Sequence, residues 1–261
     1  MKKYELTTNV KTGFGRKLFQ IKALVSFGDV TAGDLGGYIE KEENLSHDGN
    51  AWVYDDARVY GDAWVFGDAR VFGDAMVCGN ARVCGNAWVF GDARVCGDAR
   101  VCGNALVCGD ALVCGDARVF GDARVFGDAM VYGDALVYGD ALVCGNALVC
   151  GDARVCGNAL VCGDARVCGD ARVCGNALVC GDARVCGDAD YICFKGFGSE
   201  NRNTTIFRTK NGDVYVCCGC FRGSLKEFSE KVKETHGSSK YAKEYLACVE
   251  VAKIHFEIEE K

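Results

Sequence analysis

From Ala51 to Asp188, apolar and variable positions alternate with a fixed beat: Ala, a variable residue, Val, a second variable residue, then Gly and Asp or Asn. The unit A-[R/L/M/W]-V-[C/F/Y]-G-[D/N] occurs 23 times, and one glycine position is substituted, by Asp55. Alternation puts Ala and Val on one side of an extended chain and both variable residues on the other. Glycine followed by Asp or Asn tolerates the left-handed backbone of a corner. Each hexad therefore reads as a short strand plus a corner. It is too small to bury its own valine, so only stacked coils can do so, and the pattern predicts a β-solenoid.

The Asp/Asn position sets the number of hexads per coil. Asn stands at 50, 80, 86, 104, 146, 158 and 176, and five of these seven share one register modulo 18. The segments 86–102 and 158–174 show the same 18-residue unit. Three hexads per coil gives a triangular prism.

The flanks break the beat. Residues 1–50 read as a β cap, with Tyr4–Thr7 and Lys17–Phe27 strand-like and Gly33, Gly36 and Gly37 turn-like; the array runs over 51–189. Residues 190–261 read as a ββαα module. Thr204–Arg208 and Val214–Phe221 flank a Lys210-Asn211-Gly212-Asp213 turn. Ser224 and Glu227 form a capping box before a helix with Leu225, Phe228 and Val232 on one face, ended by Gly237. A second helix is expected to bury Tyr241, Tyr245, Cys248, Val249 and Ala252.

The hexad resembles X-[STAV]-X-[LIV]-[GAED]-X of left-handed β-helix acyltransferases, except that Cys, Phe or Tyr fills the small-residue position. Residues 32–59, AGDLGGYIEKEENLSHDGNAWVYDDARV, are similar to the YdcK-type hexapeptide proteins, a group named as transferases. Residues 204–247 resemble a small module at the end of bacterial and prophage repeat proteins. The resemblance implies a mainly β fold: a single-stranded left-handed β-helix with an N-terminal cap and a small α+β C-terminal module. It implies no activity beyond the word transferase, of the acyl or nucleotidyl type.

Hydrophobic residues at 49% and aromatics at 10% exclude a disordered chain. The array carries eleven Arg, no Lys and eighteen Asp, a net of seven negative charges. An acidic middle without a basic patch argues against nucleic acid as a partner. No apolar run approaches the roughly 20 residues of a membrane span, so no membrane partner is expected. With no export signal and 19 cysteines, an odd number, the expectation is a cytoplasmic protein with free thiols.

Acyltransferases of the resembled fold use a histidine base. The array has no histidine, and His47, His236 and His255 lie outside it. His47 reads as a turn hydrogen-bond partner, His236 as a helix-end residue and His255 as surface or packing. Inserted loops that would build a pocket are missing as well, so the reading leans away from an enzyme and names no catalytic residue. The Asp columns read as caps for corner amides.

Fourteen of the 23 fourth positions are Cys. In three-hexad register they form the columns Cys144, Cys162, Cys180; Cys150, Cys168, Cys186; Cys156, Cys174; and Cys78, Cys96, Cys114. Neighbours in a column stand about 4.8 Å apart, which strains a disulfide. Two sulfurs at that spacing could hold a two-coordinate soft ion such as Cu(I), and iron is a further candidate. Against this, Cys, Phe and Tyr codons differ by one base, as do those of the other variable positions, so the array looks recently duplicated. No cofactor is favoured. The Cys217-Cys218-Gly219-Cys220 run contains a C-x-x-C that reads as strand packing, with a metal shared with Cys193, Cys248 or His236 as its alternative.

The second position of each hexad also faces outward. One face carries Trp52, Arg70, Trp88, Leu106, Arg124, Leu142, Leu160 and Leu178. An apolar strip of that length exceeds what soluble monomers expose. Trp52, Trp88, Leu106, Leu142, Leu160 and Leu178 are the expected interaction face, for a second copy or another protein. The leading expectation is a non-catalytic scaffold or binding protein, with a transferase and a soft-metal or thiol-binding protein as alternatives.

Overall fold

A computed structural model describes residues 1–258 apart from 14 and 201. The hexads wind into three parallel sheets, and each strand pairs with the strand 18 residues on: Trp88 with Leu106, Arg94 with Leu112, Arg100 with Arg118. The first face runs from Trp52–Val53 to Leu178–Val179, the second from Arg58–Val59 to Arg184–Val185, and the third from Trp64–Val65 to Arg172–Val173. The β-solenoid therefore has about eight coils, in the three-hexad register that the Asn positions predict. Every hexad with a coil after it donates at least twice into that coil, as where Leu106 N–H reaches the Ala123 carbonyl at 2.9 Å and Cys108 N–H the Val125 carbonyl at 3.0 Å.

Every hexad Ala and Val is at most 1% exposed, so the lumen is a dry column of methyl groups. The corners turn on glycines with φ near +70°, such as Gly97 and Gly103, and on Asp55 at φ +50°. The Asp and Asn side chains do less capping of corner amides than expected. Asp55 accepts from Gly73 N–H at 3.1 Å and Asp68 from Asn50 N–H, while many corner amides find a carbonyl in the next coil, such as Asn104 N–H on Gly121 O at 2.8 Å. The Asn side chains instead bridge coils: Asn86 Nδ2 donates to Asn104 Oδ1 at 3.1 Å, and Asn104 Nδ2 to Asp122 Oδ1 at 2.9 Å. A donor in a column of stacked carboxylates replaces like-charge repulsion with a bond, which gives the Asn positions a structural reason beyond register.

The cap seals the first coil. Strands Tyr4–Gly13, Arg16–Ala23 and Leu35–Ile39 extend the second face, the last pairing in parallel with Arg58–Val59. Gly36 and Gly37 lie inside that last strand, not in a turn. A Cβ on Gly36 would stand 2.5 Å from the Val53 carbonyl oxygen and 2.8 Å from Trp52 Cζ2, so close packing requires these glycines. The second strand ends at Ala23, short of Phe27, which bridges Val30 across a tight turn.

Lys3 reaches under the cap, where its Nζ donates to the Ala51 carbonyl at 2.8 Å and the Gly49 carbonyl at 3.3 Å. Burial pulls its ammonium from the ordinary 10.5 down to about 8, against the opposing attraction of Asp48 and Asp68. The folded chain therefore releases this proton before the unfolded chain does. Its contribution to stability should rise with pH between about 8 and 10.5. The melting temperature of the wild type minus that of Lys3→Met should climb across that window; a flat difference would contradict the assignment.

The C-terminal module has four antiparallel strands and two helices. Tyr191–Phe197, where the hexad breaks down, is a strand that the sequence reading missed. Arg202–Arg208, Val214–Cys218 and Phe221–Ser224 complete the sheet, with the Cys218–Phe221 turn dividing the expected second strand in two. The helices α1 (Leu225–His236) and α2 (Lys240–His255) pack on one side. The Ser224–Glu227 capping box and Gly237, at φ +55°, bound α1 as expected. In α2 the buried residue at the start is Ala242, while Tyr241 stays half-exposed.

The sheet's alternation gives it two jobs. Ile206, Val216 and Cys218 face the helices, whereas Phe207 and Cys217 join the core of the solenoid. Leu178 N–H donates to Thr205 Oγ1 at 3.0 Å, and Lys210 N–H to the Asp182 carbonyl at 3.1 Å, so the module closes the last coil. Among the described residues, no helix is long and apolar enough to cross a membrane.

Candidate functional site

With both ends covered, the long sides of the prism are what the array presents. On the first face the outward residues divide by their neighbours. Trp52 is only 1% exposed, held edge-on between Tyr4 and Phe27 of the cap, so it belongs to the core and not to an interaction face. Leu178 lies at the other end, packed against the core where the module covers the last coil. Between them Leu106, Leu142 and Leu160 are half-exposed and Trp88 is 42% exposed. The adjoining corner column adds rings: Phe72 and Phe90 stack at 4.8 Å, and Phe72 meets Trp88 edge-on at 5.8 Å. Arg70 caps this cluster, its guanidinium 5.5 Å from the Trp88 ring and its Nη1 2.9 Å from Asp29 of the cap.

The cysteines occupy the corner columns, and most in the array are half-buried. All 19 stand outside any disulfide, but neighbours one coil apart touch: Cys168 and Cys186 lie with their sulfurs 2.7 Å apart. Such contacts split the acidity of a pair. A hydrogen bond from Cys96 draws the Cys78 thiol down to about 6, helped by the Tyr60 hydroxyl and the charges of Arg16 and Arg94, and Cys96 is pushed up in return. Cys84 does the same for Cys102, which falls to about 7. Where no donor intervenes, burial pushes the thiol up, as at Cys108. Cys114 is raised by burial, against a hydrogen bond from Cys96; Cys144 is raised by burial with the Cys162 thiol adding. Among the described residues, no three or more His, Cys, Asp or Glu gather as a metal ion would need. The C-x-x-C is split as well: Cys217 is buried against the solenoid, and Cys220 is exposed.

Each histidine has a structural partner. His47 stacks on Tyr4 at 4.4 Å, and its Nδ1 accepts from Lys3 N–H at 3.2 Å, a contact across 44 residues in place of the local turn bond expected from its segment. His255 Nε2 lies 3.0 Å from the Ala189 carbonyl, tying α2 to the end of the array. His236 ends α1 with its ring 5.6 Å from Tyr245, and there it lines a feature that sequence reasoning missed. A cavity of about 480 Å³ opens between α1 and the sheet, with Phe221, Phe228, Val232 and Tyr245 as apolar walls. Glu200, Lys231, His236, Cys218 and Cys220 supply its polar and thiol groups. The spacing of Phe228, Val232 and His236 along one helical stripe was the available signal.

The YdcK Beta solenoid repeat matches the array at residues 51–67, 81–97, 93–109, 99–115, 117–133, 123–139, 153–169, 165–181 and 171–187. Over 38 residues the chain is 50% identical to an Escherichia coli protein named "Uncharacterized acetyltransferase YdcK". That stretch is 15% of this chain and 12% of the relative, so the chain matches only a small part of the relative's length. Among solved structures, a Bacillus cereus protein described as a "putative acetyltransferase" aligns with a TM-score of 0.27 at 9% identity, covering 73% of this chain and 93% of that one. The UDP-N-acetylglucosamine acyltransferase of Francisella novicida aligns with a TM-score of 0.28 at 12% identity, covering 83% and 86%.

Proposed function

We propose, from the premise that the array is built of the YdcK beta-solenoid repeat, that this chain is a scaffold or binding protein whose first face docks on protein, in the first instance a second copy of itself. The observation that supports this reading is the strip formed by exposed Trp88 and half-exposed Leu106, Leu142 and Leu160, interrupted by the exposed Arg124 and flanked by stacked Phe72 and Phe90. Because the cap and the module cover both ends, coils cannot stack from chain to chain, and association has to be lateral. Five coils at about 4.8 Å and a side of about 15 Å give roughly 300–400 Å², within the roughly 300–600 Å² of the largest patch on a typical monomer. That is less than the roughly 800 Å² per partner of a standard interface, so the flanking column must share the contact. Light scattering at micromolar concentration should read twice 27.9 kDa for the wild type and 27.9 kDa for the double variant Leu106→Glu, Leu142→Glu. A wild type that stays at 27.9 kDa would remove self-association as its role.

A transferase is the second reading, favoured by the cavity with His236 in the module and by the name of the E. coli relative. It requires that an acyl donor bind there. Isothermal titration with acetyl-CoA, repeated on His236→Gln, separates the two readings: uptake lost in the variant supports the transferase, and no uptake leaves the scaffold.

A further inference from the structure

We propose that Cys180 and Cys217 are a site of oxidative modification, closing to a disulfide that staples the C-terminal module to the last coil of the solenoid. Their sulfurs lie 2.9 Å apart, and the two residues are 5% and 1% exposed. A two-coordinate metal would hold two sulfurs about 4.6 Å apart, at about 2.3 Å per bond, whereas a disulfide needs about 2.05 Å. The observed separation is nearer the second.

Sulfur contact alone does not single this pair out, since Cys168 and Cys186 lie 2.7 Å apart; the backbone does. Cys162 and Cys180, or Cys168 and Cys186, are in-register neighbours of parallel strands, so the sheet holds their Cβ atoms about 4.8 Å apart, beyond the roughly 3.5–4.5 Å that a disulfide prefers. Cys180 and Cys217 belong to different sheets with no shared ladder, so their separation is set by packing. The alternation of Val214–Cys218 turns Cys217 toward the solenoid and its neighbour Cys218 toward Thr204 and the helices. The paired cysteines of the sequence thus have separate surroundings.

Access and acidity fit the chemistry. Cys180 lines a cavity of about 420 Å³ together with Asp182, Phe207, Tyr215 and Arg222, wide enough for hydrogen peroxide. The hydrogen bond from Cys180, with the charge of Arg222 adding, holds the Cys217 thiol below its ordinary range, while Cys180, against a hydrogen bond from Cys162, is raised to about 11 by its bond to Cys217 and by burial, so Cys217 is the thiolate of the pair. One thiolate attacks a peroxide oxygen, the O–O bond breaks and hydroxide leaves, giving a sulfenic acid. The second thiol attacks that sulfur, the S–S bond forms, and its proton leaves with the displaced hydroxide as water, while the proton shed by the first thiol turns the first hydroxide into water. Two thiols and one peroxide thus become one disulfide and two waters. Whichever sulfur is oxidised first, its partner is already in contact.

The test is a disulfide map of the folded wild-type chain after a stoichiometric pulse of hydrogen peroxide and alkylation. Trypsin should yield a cross-linked pair of peptides, 173–184 and 211–222, with fragment ions placing the bond between Cys180 and Cys217. Two of the 19 thiols should lose reactivity first and regain it with dithiothreitol. A bridge at Cys162–Cys180, Cys168–Cys186 or Cys174 instead, or sulfinic acid at Cys180 with Cys217 still alkylated, would overturn the proposal. Cys217→Ser should abolish the bridge. The wild-type map decides the question even if that variant does not fold.

Discussion

Replacing Val119 with Asp should break the solenoid in its middle. Val119 is 0% exposed, and the lumen around it holds only Ala and Val, so no donor can reach a carboxylate placed there. An ionised side chain would stay unpaired, and a protonated one would still leave its hydroxyl and carbonyl without partners. The cost should exceed about 4 kcal/mol, the range reserved for buried, unsatisfied polar groups. Because each coil contacts only its neighbours, the damage should stay local and divide one cooperative unit into two. Circular dichroism should show two melting transitions in place of one, and limited proteolysis should cut first within the coil around residue 119. Melting as a single transition within about 1 kcal/mol of wild type would mean that the lumen is not closed and apolar around Val119. Val119→Ala is the control, with an expected loss of roughly 1–3 kcal/mol from burial and cavity terms alone.

Most of the array is legible because its information is local and repeated. Alternation places Ala and Val inside, the Asn positions count 18 residues per coil, and the pairing of Trp88 with Leu106 repeats that count in space. What escaped depends on where the regular pattern meets something else. Trp52 occupies the same hexad position as Trp88, yet the cap buries one and leaves the other exposed, a distinction made by Tyr4 and Phe27, which lie outside the array. Gly36 and Gly37 read as a turn from composition, and only the nearness of the Val53 and Ala57 carbonyls shows that they are strand. Tyr191–Phe197 reads as decay of the hexad because it pairs with Arg202–Arg208 of the module and not with a neighbouring coil. The same limit applies to the site. Exposure at the ends of the first face and the Cys180–Cys217 contact arise where the cap or the C-terminal module meets the solenoid, and the cavity beside His236 arises where α1 meets the sheet within the module. Alternation within one strand does not encode such meetings.

The corner glycines give the second large effect, and they separate two causes that usually act together. Gly103 sits at φ +73°, and a Cβ there would stand 2.9 Å from Gly121 N and 3.0 Å from Gly121 O of the next coil. Gly181 has a similar φ of +65°, but a Cβ there would meet nothing within 4 Å. Gly181→Ala should therefore cost only the left-handed conformation, about 1–2 kcal/mol. Gly103→Ala should cost that amount plus the separation of two stacked backbones, for a total of roughly 3–4 kcal/mol. The neighbouring backbone cannot rotate away as a side chain could, and its Gly121 carbonyl already accepts the Asn104 N–H at 2.8 Å. Urea unfolding of both variants measures the difference. Val107→Ala and Val179→Ala, buried in the same two regions, calibrate what position along the array contributes by itself. Equal losses at Gly103 and Gly181 after that correction would show that backbone conformation alone selects glycine. A larger loss at Gly103 means that the corners are packed coil on coil. In that case Asp55, at φ +50° in the first hexad, marks where the array can do without its glycine.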